Sequence, residues 1–352
     1  MIHTLRLLLW PFSLLYGLVI AIRNFLYDKN IFKSQKFDIP IIVIGNLAVG
    51  GTGKSPLTEY LIRLLKDSFK VASLSRGYGR ETNGFIYVEK TDSFKKVGDE
   101  PLQFKTKYPE ITVAVCEDRV EGVRRLKDYH DVIVLDDAFQ HRSLTPGLSI
   151  LLFDYESLFK PRLFLPAGNL RDSFTQRKRA DLIIITKTPS LLSEEKKKVA
   201  ISRLDVDTNQ QVLFSYLDYD SPYHIIETPE TKNSIFNQDS EILLVTGIAN
   251  PRPLLSYLES KCRRIELLSF PDHHSYAEKD IESIVKKYTA LPSKNKFIVS
   301  TEKDLQRLKR FLSNPLLIGL PILIIPIKAC FDEKETRQFN SLVLNYCRKK
   351  VK

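Results

Sequence analysis

Residues 45–55 read Gly-Asn-Leu-Ala-Val-Gly-Gly-Thr-Gly-Lys-Ser, directly after the apolar run Ile41-Ile42-Val43-Ile44. No other stretch constrains the fold as tightly: a strand must feed a glycine loop, and the loop must open a helix. Gly50, Gly51 and Gly53 let the backbone curl so that N–H groups, including that of Thr52, point inward at phosphate oxygens. Lys54 reaches the β/γ-phosphates, and Ser55 offers its hydroxyl to Mg²⁺. Pro56 falls in the first helical turn, where its missing N–H is of little consequence. The first position of the G-x-x-x-x-G-K-[ST] pattern is Ala48 rather than Gly. An ordinary strand-to-helix turn is the competing explanation, and the strand before and helix after favour the phosphate loop.

A second element fits the first. Asp131–Asp137 reads DVIVLDD, a short apolar run suited to a buried parallel strand. Asp136 and Asp137 stand at its C-terminal end, where nucleotide-using proteins hold Mg²⁺. Further strand-like runs are 39–45, 71–75, 111–115, 148–154 and 181–187, with helical stretches between them such as Leu57–Lys66 and Asp118–Asp128. The alternation predicts an α/β fold of the P-loop NTPase type, a mostly parallel sheet with helices on both faces. Residues 206–239, rich in Tyr, Asp, Thr and Asn, read as an extended interdomain linker. A smaller α/β unit follows over 240–352, the larger kinase-like unit spanning 31–205 and an N-terminal helix 1–30.

That N-terminal segment is unusual. Leu7–Ile22 carries no charge, yet sixteen residues fall short of the ~20 that span a bilayer. Arg23-Asn24-Phe25-Leu26 follows instead of a small-residue cleavage site. Ser13, Gly17, Ala21, Asn24 and Asp28 make one small or polar stripe on an otherwise apolar helix. The pattern predicts a helix lying in a membrane interface, Trp10 and Tyr16 in the headgroup zone, and Arg23, Lys29, Lys33 and Lys36 facing anionic lipid. A helix docked on the protein's own core is the competing reading. The formal net charge of +11 calls for an acidic partner. No zinc-finger spacing or RNA-binding aromatic signature is present, which turns the reading away from nucleic acid. The four cysteines are scattered without a CxxC pair, as in a reducing compartment.

The remaining motifs act as a set: LSRGYGR (74–80), GDEP (98–101), DDAFQH (136–141), LPAGNLRD (165–172), TGIANP (246–251), FPDHHSY (270–276) and STEKD (300–304). With the glycine loop, and in this order, they resemble the tetraacyldisaccharide 4′-kinase (lipid A 4′-kinase) family of Gram-negative bacteria over residues 1 to about 330. The resemblance implies transfer of the ATP γ-phosphate to the 4′-hydroxyl of a tetraacylated glucosamine disaccharide 1-phosphate. It implies a monotopic protein on the cytoplasmic face of the inner membrane, with ATP and Mg²⁺ as cofactors and an acylated disaccharide lipid as substrate. Lys54 and Ser55 match the family's phosphate and Mg²⁺ residues, Asp136 and Asp137 its paired carboxylates, and Asp99 its proposed base. His273 or His274 matches the histidine beside that base, with His273 slightly favoured. Arg76 and Arg171 are expected near phosphates. Ser55 stands where the family often has Thr and Ala138 where it often has Gly, and neither change removes a required group.

Read without the family, an aligned carboxylate can accept a sugar hydroxyl's proton, and an imidazole can hold that carboxylate and tune its pKa. A capping box from Ser275 to Glu278 would leave both histidines in the preceding loop. Arg76, Arg80, Arg119 and Arg171 are candidate phosphate contacts, because guanidinium forks match phosphate oxygens, although surface ion pairs are the common alternative. Two other functions compete: a soluble P-loop kinase of small metabolites, which leaves the apolar N-terminus idle, and a membrane-associated switch ATPase, which leaves GDEP and FPDHHSY idle.

Overall fold

The computed structural model describes residues 6–207, 210–225 and 235–350. Apolar runs become the strands β1 (Ile41–Asn46), β2 (Val71–Ser75), β3 (Ile86–Tyr87), β4 (Thr112–Val115), β5 (Val132–Leu135), β6 (Leu148–Asp154), β7 (Leu182–Thr186) and β8 (Gln211–Phe214). They form one sheet in the order β3-β4-β2-β5-β1-β6-β7-β8, parallel except for the β3–β4 pair. Side chains alternate across a strand, so β1 feeds two cores: Ile42 and Ile44 enter one, Ile41 and Val43 the other. Both faces are covered, and β1 is buried along its whole length. Because β1 and β5 are hydrogen-bonded neighbours, the glycine loop and the Asp136-Asp137 turn emerge side by side.

The chain then runs through β9 (Tyr216–Tyr219) and β10 (Tyr223–His224) into a second sheet. That sheet contains β10, β11 (Glu241–Thr246), β12 (Arg264–Ser269), β13 (Lys296–Thr301) and β14 (Ile322–Ile325), in the order β10-β14-β13-β11-β12. It returns through β15 (Ile327–Cys330), which pairs antiparallel with β9. The helix Glu333–Lys350 packs back on the first sheet, with Phe339, Val343 and Cys347 in the core that holds Ile42 and Ile44. Tyr346 fixes it there: its hydroxyl accepts from the Ile41 N–H at 3.0 Å and donates to the Ile41 carbonyl at 3.2 Å. The expected span of the smaller unit, 240–352, is therefore too long at its C-terminal end. The expected linker is too long at its start, since β8 within it belongs to the first sheet; residues 208–209 and 226–234 of it lie outside the described residues.

The N-terminal helix Trp10–Asp28 is inverted relative to a soluble amphipathic helix. Its buried residues are Ser13 and Asn24, while Trp10, Phe12, Leu14, Leu15, Leu18, Val19, Ile22 and Phe25 are exposed. The polar stripe is the docking face. Ser13 donates to the Phe164 carbonyl at 3.0 Å and accepts from the Ala167 N–H at 2.9 Å, and Asn24 donates to Asp172 at 2.8 Å. Gly17 lets Phe164 approach so closely that a Cβ would sit 2.9 Å from its ring. Asp28 pairs with Arg142 at 2.6 Å, whereas Ala21 is exposed. Two expectations change. The Tyr16 hydroxyl donates to the Arg171 carbonyl at 3.0 Å, and Arg23 donates to the Gln140 carbonyl, so both turn inward. Among the described residues no helix is long and apolar enough to cross a membrane.

One position in β1 yields a stability prediction. A Cβ on Gly45 would stand 2.5 Å from Phe139 Cβ and 2.9 Å from its backbone nitrogen. Gly45→Ala is expected to destabilise the chain by roughly 1–3 kcal/mol through overpacking, read as a lower denaturant midpoint.

Candidate active site

The glycine loop closes on β1. Gly53 has φ of 81°, the left-handed conformation that favours glycine, and caps the helix Lys54–Leu65. Asn46, the last residue of β1, organises the loop: its amide donates to Thr52 Oγ1 at 2.9 Å and its carbonyl oxygen accepts from Lys54 at 3.3 Å. Lys187 donates to the Gly51 carbonyl and pairs with Asp154 at 3.1 Å. Gly50, Gly51 and Thr52 border a cavity of about 250 Å³ that also touches Phe153, Phe174 and Lys187.

The two carboxylates after β5 differ in environment. Asp137, with φ of 49°, receives both arms of the Arg171 guanidinium and lies 3.6 Å from Lys54. Burial works against its charged form, but Arg171 and Lys54 prevail and pull its pKa down to about 2. Asp136 is buried and accepts from Thr58 at 3.1 Å. Burial, with the negative charges of Glu100 and Asp137, pushes its pKa up to about 7. Ser55 donates to Glu100 at 2.5 Å, and Glu100 pairs with Lys303 at 2.5 Å. The region thus gathers hard oxygen donors whose mutual repulsion a divalent cation would relieve. Among the described residues no three His, Cys, Asp or Glu side chains converge into a metal cage. That sparse set suits Mg²⁺, which keeps waters and substrate oxygens in its shell.

Asp99 opens the helix Asp99–Lys107 and is 4% exposed. His273 Nδ1 lies 3.0 Å from its Oδ2, and the buried Arg307 donates to the same oxygen. Burial raises the carboxyl's pKa, but His273 and Arg307 outweigh it and hold it well below the usual carboxylate range. In return the Asp99 hydrogen bond raises the His273 imidazole above its ordinary value. His274 goes elsewhere: its Nε2 meets Asp280 at 2.9 Å and its ring stacks on Phe270. The helix after the histidines starts at Glu278, later than expected, and Asp280 rather than Glu278 reaches back, to the Ala277 N–H at 2.8 Å. The start is delayed because Tyr276 is fully buried, donating to Asp304 at 3.0 Å. Asp304 also accepts from Thr246, the Gly247 N–H and Thr301, so one carboxylate ties together TGIANP, FPDHHSY and STEKD.

The arginines separate. Arg171 pairs with Asp137, beside the glycine loop. Arg119, 1% exposed, donates to the Cys116 carbonyl, while its Nε and Nη2 find no protein acceptor among the described residues. Burial lowers its pKa to about 10, which leaves it cationic, and its charge is felt with those of Asp137 and Asp136. Arg76 is exposed on the loop after β2, near enough for its charge to bear on Arg119 and His141. Arg80 departs from expectation: it is held by Glu117 and donates to the Gly84 carbonyl at 2.7 Å, a structural brace for its own loop. Sequence reasoning missed Asn46, Glu100, Lys303 and Arg307. Glu100 had a signal, adjacency to Asp99 in GDEP; Arg307 had none, lying beyond the last motif.

Comparison with known proteins agrees with this geometry. Residues 5–347 match the family described as tetraacyldisaccharide-1-P 4′-kinase. The tetraacyldisaccharide 4′-kinase of Flavobacterium johnsoniae is 40% identical over 99% of both chains. That of Phocaeicola vulgatus is 41% identical over 97% of this chain and 95% of its own. The crystal structure of LpxK from Aquifex aeolicus in complex with ATP superposes with a TM-score of 0.73 at 28% identity, covering 97% of this chain and 99% of that one. The order of motifs, the glycine loop beside paired carboxylates and near-complete coverage agree: this chain belongs to the tetraacyldisaccharide-1-P 4′-kinase family.

Proposed function

We propose that the protein transfers the γ-phosphate of ATP to the 4′-hydroxyl of a tetraacylated glucosamine disaccharide 1-phosphate, a step of lipid A biosynthesis, at the cytoplasmic face of a bacterial inner membrane. One observation carries the reading. Ser55 of the phosphate loop bonds to Glu100, and the adjacent Asp99 bonds to His273 of the second unit, so phosphate-gripping and proton-accepting groups share one cleft. Lys54 offsets charge on the transferring phosphate, and the Asp99–His273 pair takes the hydroxyl proton. Ser55, Asp136 and Asp137 would hold Mg²⁺, which when bound neutralises the β- and γ-phosphate oxygens. Arg76, Arg119 and Arg171 face the same region and suit the phosphates of nucleotide and acceptor.

The outward apolar face of the N-terminal helix supports the membrane assignment. A substrate whose acyl chains stay in the bilayer needs an enzyme seated at the interface, and exposed Lys29, Lys33 and Lys36 add attraction to anionic headgroups. A kinase of soluble metabolites leaves that face without an occupant, and a switch ATPase leaves the Asp99–His273 pair without a task. The test is incubation with ATP, Mg²⁺ and the disaccharide 1-phosphate in detergent micelles. The expected product is a bisphosphorylated lipid; ATP hydrolysis that leaves the lipid unlabelled would refute the reading.

A further inference from the structure

Three charged side chains open the helix Glu302–Leu308 of the second unit, and two of them have evident tasks. Glu302 pairs with Lys107 at 2.9 Å, and Asp304 ties together the three loops described above. Lys303, between them, differs. A cation in the first turn of a helix opposes the peptide dipoles, so the position works against it. Its ammonium reaches across to the first unit, where Glu100 Oε1 lies at 2.5 Å. An ammonium carries three donors, and among the described residues Glu100 is the one side chain that pairs with this one. The side chain is 30% exposed, so it borders the cleft and not the core.

Glu100 also fixes where that ammonium stands. The Ser55 hydroxyl donates to the same Oε1, again at 2.5 Å. Two atoms that share one oxygen at that length are separated by no more than twice it, so Lys303 stands beside the hydroxyl of the phosphate loop. Asp99, next to Glu100 in the chain, flanks it on the other side and meets His273 at 3.0 Å. Burial works against the cation, but Glu100, Asp99 and Asp272 outweigh it and raise the Lys303 pKa above its ordinary value. A lysine that serves only to cancel buried carboxylates spends its donors on them, as Lys107 does on Glu59 at 2.6 Å and Glu302 at 2.9 Å. Lys303 instead resembles Lys54, which is held by one hydrogen bond to Asn46 and keeps donors in reserve.

We infer that Lys303 is a catalytic residue supplied by the second unit, its ammonium donating to the γ-phosphate of ATP while Glu100 holds it in place. The inference rests on the kinase reading above. A phosphoryl group travelling from a nucleotide gripped by Lys54 and Ser55 to a hydroxyl held at Asp99 passes the space that Lys303 fronts. In the step, the acceptor oxygen forms a bond to the γ-phosphorus and its proton passes to the Asp99–His273 pair. The bond from that phosphorus to the β,γ-bridging oxygen breaks, its electron pair leaving with the nucleoside diphosphate. Lys303 forms no covalent bond and keeps its protons. It offsets the negative charge on the oxygens of the phosphoryl group in flight, the task of an arginine finger, here filled by a lysine of the same chain. Because ADP lacks the γ-phosphate, the same contact lets the site tell ATP from ADP.

The experiment uses the full chain in detergent micelles and the substitution Lys303→Gln, which keeps a donor for Glu100 and removes only the charge. Lipid phosphorylation should lose about 10²–10³-fold in kcat. Calorimetric titration without lipid, with Mg²⁺ and either ATP or ADP, gives a second readout. ADP affinity should stay unchanged while ATP affinity falls about 10–100-fold. Lys303→Arg should recover the preference for ATP and part of the turnover. Partial unfolding of a variant lowers both affinities equally, so their ratio reads the γ-phosphate contact whatever the variant's stability. Near-normal turnover in Lys303→Gln, or an unchanged ratio of ATP to ADP affinity, overturns the assignment. Lys303 is then an ion-pair partner of Glu100 and nothing more, with the kinase reading still standing. A lipid that stays unlabelled with the unaltered chain refutes the kinase reading itself.

Discussion

Lys54→Ala is expected to lower kcat by at least about 10²–10³-fold, because it removes a positioned cation from the place where phosphate charge is redistributed. Lys54 is held by Asn46 at 3.3 Å and lies 3.6 Å from Asp137, so its ammonium is aimed before any nucleotide arrives. Removing it leaves Asp137 with Arg171, whose bidentate grip preserves the local fold. The loss should therefore appear in turnover with little change in melting temperature. Single-turnover phosphoryl transfer alongside thermal unfolding checks both halves, and near-normal turnover would refute the phosphate-loop assignment.

The second large effect belongs to the outward face of the N-terminal helix. Replacing Leu14, Leu18, Val19 and Ile22 by Gln touches four side chains that are 52–63% exposed. Ser13 and Asn24, which dock the helix, stay in place. Burying an aliphatic side chain contributes up to about 1.5–3 kcal/mol, and interfacial insertion recovers part of that. Partition onto vesicles containing anionic lipid should fall on the order of 10²–10³-fold. ATP binding should persist, since the phosphate loop is built from β1 and its own helix. Co-flotation with liposomes reads the first quantity and nucleotide titration the second. Undiminished flotation would place the membrane contact elsewhere.

Much of this molecule is legible in its sequence because the information is local. A continuous run such as Ile41–Ile44 has few options besides a strand covered on both faces, and Gly53-Lys54-Ser55 can open only one kind of helix. The polar stripe of Ser13, Gly17 and Asn24 is visible in the spacing, and the structure shows what it bonds. Contacts that join distant segments are less accessible. Arg307 meets Asp99 across 208 positions, and no local pattern announces a buried arginine. Arg80 resembles a phosphate contact until Glu117 is seen beside it. The C-terminal helix has an ordinary periodicity that does not say which sheet it covers; Phe339, Val343 and Cys347 in the Ile42 core and Tyr346 on the Ile41 backbone decide it. Likewise His273 and His274 are neighbours in a loop, and the positive φ of His273 helps send the two rings to different carboxylates.

The return of the chain through β15 to the first sheet has a consequence for how the protein is made. The smaller unit is an insertion, since elements of the larger one lie on either side of it. During synthesis the phosphate-loop sheet emerges early, yet the core around Ile42 and Ile44 lacks Phe339, Val343 and Cys347 until helix Glu333–Lys350 has left the ribosome. The inserted unit, with its own core around Leu243, Tyr276 and Ile298, can close first. The segment translated earlier thus finishes folding later, while the apolar N-terminal helix is already outside. A nascent chain in that state presents an open core beside a helix whose apolar face is also exposed, so two apolar surfaces await cover at once.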